Sequence, residues 1–152
     1  MSPQGTAAYD GLTDLPPLVE RAVDLARRLV SVEIDTERAG LVASLFADLP
    51  HLAVIPGDWR EIYRAGPFDL LILDGGAHGK SGGIPADPDD LLKPGGTLVI
   101  DDLTPASTWP PRFGGHVDQA RMHWLTHPAL DAAELRLAPD LAALVATRRF
   151  PP

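Results

Sequence analysis

Apolar residues recur along this chain in two alternating rhythms, and each change of rhythm marks a new element. From Asp14 to Leu29 the run DLPPLVERAVDLARRL sets Leu15, Leu18, Val19, Ala22, Ala26 and Leu29 at helical spacing, with Glu20, Arg21, Asp24, Arg27 and Arg28 largely opposite. Asp14 is placed to cap this helix, and Pro16 and Pro17 suit its first turn. The β-branched run LVSVEI, Leu29 to Ile34, predicts a strand covered on both faces. DTERAGLVASLFADL then restarts the helical period, with Asp35 or Thr36 as cap. LAVIPGD is a second short strand, WREIYRAG a helix of one or two turns closed by Gly66, and FDLLILDGG the most apolar strand of the chain. After the loop AHGKSGGIPADP come a short helix DDLLK, a turn PGG and a further buried strand TLVIDD. The pattern closes with a helix near VDQARMHWLTH and two strands, AELRLAPD and LAALVATRRF, joined tightly enough to be antiparallel.

Strands alternating with helices imply right-handed crossovers and an α/β, Rossmann-like, mainly parallel sheet with a C-terminal antiparallel strand pair. At 152 residues and 45% hydrophobic, without an internal repeat, the chain is expected to form a single domain, 1–152, with its core over 29–150 and a divergent segment over 1–28. A net charge of −8 and scattered basic residues argue against a nucleic-acid backbone as partner and favour a small molecule. No apolar run is long enough to span a bilayer and the start does not read as a signal peptide, so the expected location is cytoplasmic, without a membrane partner. The absence of cysteine removes disulfides, thiolate nucleophiles and thiolate metal sites.

Ligands of such sheets bind at the carboxyl ends of the strands. Four of these ends carry acids or glycines: Glu33 with Asp35, Gly57 with Asp58, Asp74 with Gly75 and Gly76, and Asp101 with Asp102. An acid after a strand is often only a helix cap, which is the expectation for Asp35. In order and spacing, VSVEID, GDWRE, FDLLILDGG and LLKPGGTLVIDDL resemble the successive motifs of class I S-adenosylmethionine-dependent methyltransferases, nearest the small-molecule O-methyltransferase branch. The resemblance runs from about Leu29 to the terminal strands. It implies S-adenosylmethionine as cofactor, with Glu33 accepting from the ribose hydroxyls, Asp58 and Trp59 beside the adenine, and Asp74 and Gly75 completing the cofactor edge. In metal-dependent members of the branch the acids after the fourth and fifth family strands bind a divalent ion, which here implies Asp74, Asp101 and Asp102, and Mg²⁺ for an oxygen-only set. Asp102 stands where those members have Asn, and the lysine expected soon after the first Asp is displaced to Lys80.

Methyl transfer needs the acceptor held in line with the methyl group and, for a hydroxyl acceptor, a base; His78 and His116 are the candidates by unperturbed pKa. His123 and His127 share the i, i+4 spacing of a metal pair but lack a third ligand, and read as helix surface. TPASTWPPRFGG, with Trp109 and Phe113, reads as a wall of the acceptor site. The family's first central strand and its E-x-G-x-G-x-G loop should precede the first helix, where only QGTAAYDG stands, so the first strand is expected to be missing and most of the loop with it. Val30–Ile34 and Leu70–Leu73 are then expected in one sheet with nothing, or only the N-terminal segment, between them. Two functions follow: methyl transfer to a small hydroxylated acceptor, weak in this chain, or a non-catalytic module of the same fold that pairs, as a homodimer, through an exposed sheet edge. A nicotinamide-binding Rossmann domain ranks third, because G-x-G-x-x-G is absent.

Overall fold

The computed structural model describes residues 28–151, so residues 14–27 of the helix expected to run to Leu29, and the QGTAAYDG segment before it, lie outside the described residues, while Leu29 itself opens a strand. The chain divides into two compact units, Met1–Pro56 and Gly57–Pro152. In the first, β1 (Leu29–Glu33) and β2 (Leu52–Pro56) pair in parallel from Leu29 opposite Leu52 to Glu33 opposite Pro56. The crossover is α1 (Thr36–Leu45), which begins because the Asp35 carboxylate accepts from the Arg38 N–H at 3.0 Å. Ala39 is its buried contact, while Leu41 and Leu45 remain exposed.

The second unit carries the larger sheet, in the order β3–β4–β8–β7. β3 (Phe68–Leu73) and β4 (Leu92–Leu103) are parallel, β8 (Ala142–Arg148) is antiparallel to β4, and β7 (Leu130–Arg136) is antiparallel to β8. The terminal antiparallel pair is thus as expected, with β7 starting three residues earlier than the sequence pattern suggests. Alternation sends Leu71, Leu73, Leu98, Ile100, Leu144 and Ala146 to one face, where they pack with Leu91, Leu92, Leu130 and Trp124 as the core. Trp124 comes from α3 (Gln119–Thr126), which starts where Asp118 accepts from the Arg121 N–H. The opposite face presents Leu70 and Ile72, both more than half exposed.

The LLKPGG stretch keeps its expected turn but has a shorter helix. α2 (Pro88–Leu91) is a single turn capped by Asp87, and β4 begins at Leu92, opposite Phe68; the ladder then resumes at Thr97 opposite Leu70, with the Pro94-Gly95-Gly96 turn, Gly95 at φ 80, bulging between them. Arg148 fixes this early start by donating to the Leu92 carbonyl and pairing with Asp89 at 2.9 Å. WREIYR forms a 3-10 turn, Trp59–Arg64, rather than an α-helix. A two-residue hairpin, β5 (Arg112–Phe113) and β6 (His116–Val117), turns through Gly114 and Gly115, both at positive φ where a side chain would be strained.

Among the described residues Val30–Glu33 and Leu70–Leu73 belong to separate ladders, with β1 bonded to β2 and β3 to β4. The N-terminal segment, the one candidate expected to lie between them, falls outside the described residues. No described helix is long and apolar enough to cross a membrane.

Candidate functional site

In the first unit, Glu33 ends β1 with its carboxylate turned into the following corner. It accepts from the Asp35 N–H at 2.8 Å and lies 3.4 Å from the Arg38 guanidinium. Its side chain stays 22% exposed, so the carboxylate is oriented by its neighbours yet open to a further donor. Asp35 is the helix cap the pattern suggested, and the Arg38 N–H holds its carboxyl below the ordinary range.

In the second unit, two corners meet. Asp58 caps the 3-10 turn through the Arg60 N–H at 3.0 Å and pairs with the Arg60 guanidinium at 2.9 Å, and that backbone N–H lowers its carboxyl pKa. Trp59 lies partly buried against the core, 6.0 Å from the Tyr63 ring, with the Arg60 guanidinium 4.7 Å above its own ring. A Cβ added at Gly76 would meet Trp59 at 3.1 Å, so this glycine is what lets the indole close on the end of β3. A Cβ at Gly75 would meet nothing within 4 Å, so the backbone beside Asp74 faces open space.

Asp74 and Asp101 follow register partners, Leu73 and Ile100, and therefore share the carboxyl edge of β3 and β4. Burial pushes the Asp101 carboxyl upward, and the charges of Asp74 and, less strongly, Asp102 push it the same way. Asp102 sits at φ 55, within a register break between Ile100 and Leu103, and its carbonyl accepts from the Lys80 ammonium at 3.3 Å. Among the described residues no three Asp, Glu, His or Cys side chains are grouped to hold a metal ion. Asp74, Asp101 and Asp102 are thus not grouped as an ion site, and the Lys80 ammonium stands at this edge on the Asp102 carbonyl.

The candidate bases part company. His78 is buried, with 7% of its surface exposed, and its Nδ1 accepts from the Lys80 N–H at 3.3 Å, which puts the proton on Nε2. Its carbonyl accepts from the Trp124 indole N–H at 3.0 Å, and desolvation, then the Lys80 charge, lowers its pKa. His78 is therefore a neutral strut under the corner and poorly placed to act as a base. His116 is exposed on β6, opposite Phe113. The rings of His123 and His127 meet edge to face at 5.2 Å between centroids, and His123 is more enclosed than a helix-surface reading allows, since its Nε2 is buried and desolvation lowers its pKa.

The sequence pattern gave no notice of Arg121. Its side chain is 3% exposed and lies between Asp118 at 3.2 Å and Glu134 at 2.9 Å. The only advance signal was the Asp118, Arg121 spacing of a helix cap; Glu134 is brought in by β7.

No protein-family model matches the chain. Among solved structures it is similar to the Podospora anserina methyltransferase PaMTH1, solved with SAH bound, at TM-score 0.59 and 16% identity over 81% of this chain and 61% of that one. It is likewise similar to the N-methyltransferase NodS of Bradyrhizobium japonicum, at TM-score 0.54 and 16% identity over 88% of this chain and 80% of that one. A third neighbour is the CurJ carbon methyltransferase, at TM-score 0.55 and 13% identity over 91% of this chain and 51% of that one. These likenesses establish the fold, which is that of class I S-adenosylmethionine-dependent methyltransferases. By sequence the chain is similar to shikimate dehydrogenase (NADP(+)) of Alkalilimnicola ehrlichii, 31% identical over 151 residues, or 95% of this chain and 52% of that protein. The chain thus spans about half the length of this curated relative.

Proposed function

We propose that this chain carries out S-adenosylmethionine-dependent methyl transfer to a small hydroxylated acceptor. The observation that carries the reading is the sheet of the second unit: parallel β3 and β4 end in Asp74 and Asp101 on one edge, and β8 is inserted antiparallel between β4 and β7. The methyltransferase neighbours support it; they include N- and C-methyltransferases, so the hydroxyl acceptor rests on the motif resemblance alone.

The residues divide the work as follows. In the first unit the open side of the Glu33 carboxylate would accept from ribose hydroxyls, a role the motif resemblance implies. In the second unit, taken by itself, Asp58 beside the indole of Trp59 would accept from the adenine amine, and Asp74 and the unobstructed backbone at Gly75 are the further candidates for holding the cofactor. The bound cofactor supplies an electrophilic methyl group. The chain's own task is then to hold the acceptor in line and accept its proton, and Asp101, whose affinity for a proton is raised, suits that task better than the enclosed His78.

Isothermal titration with S-adenosylhomocysteine tests the reading. The sequence contains no Gly-x-Gly anywhere, so a backbone cradle for the methionine carboxylate is not supplied by that motif. Two lost backbone bonds to a carboxylate, at ~1.5 to 3 kcal/mol each, predict a dissociation constant no tighter than about 100 μM. Glu33→Ala should remove the remaining binding. Micromolar binding insensitive to Glu33→Ala would falsify the ribose role. The dehydrogenase relative favours a second reading, an NADP-binding domain, and the same titration with NADP⁺ separates the two. Tighter binding of NADP⁺ than of S-adenosylhomocysteine overturns methyl transfer.

A further inference from the structure

The segment from Thr104 to Val117 leaves the carboxyl edge of β4, exposes Trp109 and Phe113, and returns at Asp118 to start α3. A free excursion of this length would lose much conformational entropy on holding one shape, yet its two feet are tied to the same buried side chain. Arg121 donates from Nη1 to the Thr104 carbonyl at 2.9 Å and to Glu134 Oε2 at 2.9 Å, and from Nε to Asp118 Oδ2 at 3.2 Å. Glu134 in turn accepts from the Ala106 N–H at 2.7 Å, and the Asp118 N–H reaches back to the Pro111 carbonyl at 2.9 Å. The departing strand, the loop, the incoming helix and β7 are thereby joined through one guanidinium fork, a geometry that lysine cannot reproduce.

We infer that Arg121 is the positioning residue of the acceptor loop: with Asp118 and Glu134 it sets where Trp109 and Phe113 stand, without touching cofactor or acceptor. The inference rests on the methyl-transfer reading for the word acceptor, but the clamp itself does not. Two carboxylates on one arginine leave the centre with a net negative charge, so removing the cation exposes both acids to each other as well as freeing Thr104 and Ala106.

The test reads the loop directly. Arg112 lies exposed on the hairpin and offers a trypsin site, with Arg64 on the 3-10 turn as internal reference. In native protein, well below the melting temperature, Glu134→Ala should raise cleavage after Arg112 at least fivefold while leaving cleavage after Arg64 within twofold. This variant keeps Arg121 paired with Asp118 and is the one expected to fold without difficulty. Arg121→Met should raise it further, Arg121→Lys should recover only part of the protection, and acrylamide quenching of the exposed Trp109 should rise in the same order, with Trp109→Phe as blank. Equal acceleration at Arg64 would show general loosening, and unchanged cleavage after Arg112 would show that the clamp positions nothing; either result overturns the inference. Titration of the same variants with S-adenosylhomocysteine should give dissociation constants within twofold of the parent, and a tenfold loss in Glu134→Ala would place the clamp in the cofactor site and overturn it too. If the parent itself binds no S-adenosylhomocysteine, the methyl-transfer reading fails, and the proteolysis and quenching decide the clamp alone.

Discussion

At the scale of single residues, two groups of the second unit have proton affinities that move in opposite directions. Asp101 is pushed above the ordinary carboxylate value of 3.8 by burial first and by Asp74 next. The folded protein then holds a proton more tightly than the unfolded chain, so stability falls as pH rises from that value through the folded pKa. Asp101→Asn should therefore melt ~1–3 °C higher than wild type at pH 7, with solvent screening keeping the gain small, and the gain should vanish near pH 3.5. Methyl transfer by that variant should be lost if Asp101 takes the acceptor proton. For His78 the sign reverses. Desolvation lowers its pKa below 6.5, so the fold loses stability as pH falls below that value, where the unfolded chain binds the extra proton. His78→Asn retains an acceptor for the Lys80 N–H and should shrink the fall in melting temperature between pH 7.5 and pH 5.5 by ~2–4 °C. A variant that keeps the full fall would show that His78 is more solvated than its enclosure implies. Neither property was legible in the sequence, where a histidine in a glycine-rich loop and an aspartate after a strand are ordinary; enclosure is a result of tertiary packing.

Among elements, the pattern of apolar residues located every described strand of the two main ladders, because short runs rich in apolar residues between turn signals mark extended chain even where only one face is buried. It missed where extended chain begins at Leu92, since that depends on Arg148 arriving from β8, far away in sequence. It also missed the register break at Asp102, which lies between Ile100 and Leu103. The helix α3 shows what holds such an element once placed. Trp124 is 1% exposed, fills the centre of the core and gives its indole N–H to the His78 carbonyl. Trp124→Phe leaves a cavity and an unpaired carbonyl, and is expected to cost ~2–4 kcal/mol in urea unfolding. A loss below 1 kcal/mol would mean that the α3 contact contributes little to the second unit.

For the whole molecule, the decisive feature is a strand that is apolar on both faces and, among the described residues, bonded on one edge. In β3, Leu71 and Leu73 enter the core, but Leu70 and Ile72 stand 52% and 59% exposed, and no described strand pairs beyond them. The sequence reading took this strand as the most apolar of the chain, and its apolar residues divide between a buried face and an exposed one. Fully burying a leucine or isoleucine is worth ~1.5–3 kcal/mol, so two on one face of a strand whose second edge has no described partner favour a covering surface. The Asp69 to Lys93 pair, 2.8 Å apart, sits at the start of the strand and leaves the Leu70 to Leu73 edge without a charge to repel another strand. We expect a second copy of the chain to associate there, β3 against β3. Sedimentation velocity over a concentration series should show monomer converting to dimer. Ile72→Lys, which puts a charge on the apolar row, should hold the protein monomeric with an unchanged circular dichroism spectrum. A wild-type chain that stays monomeric to ~1 mM, where even a contact of only ~4 kcal/mol would be half formed, sinks the proposal.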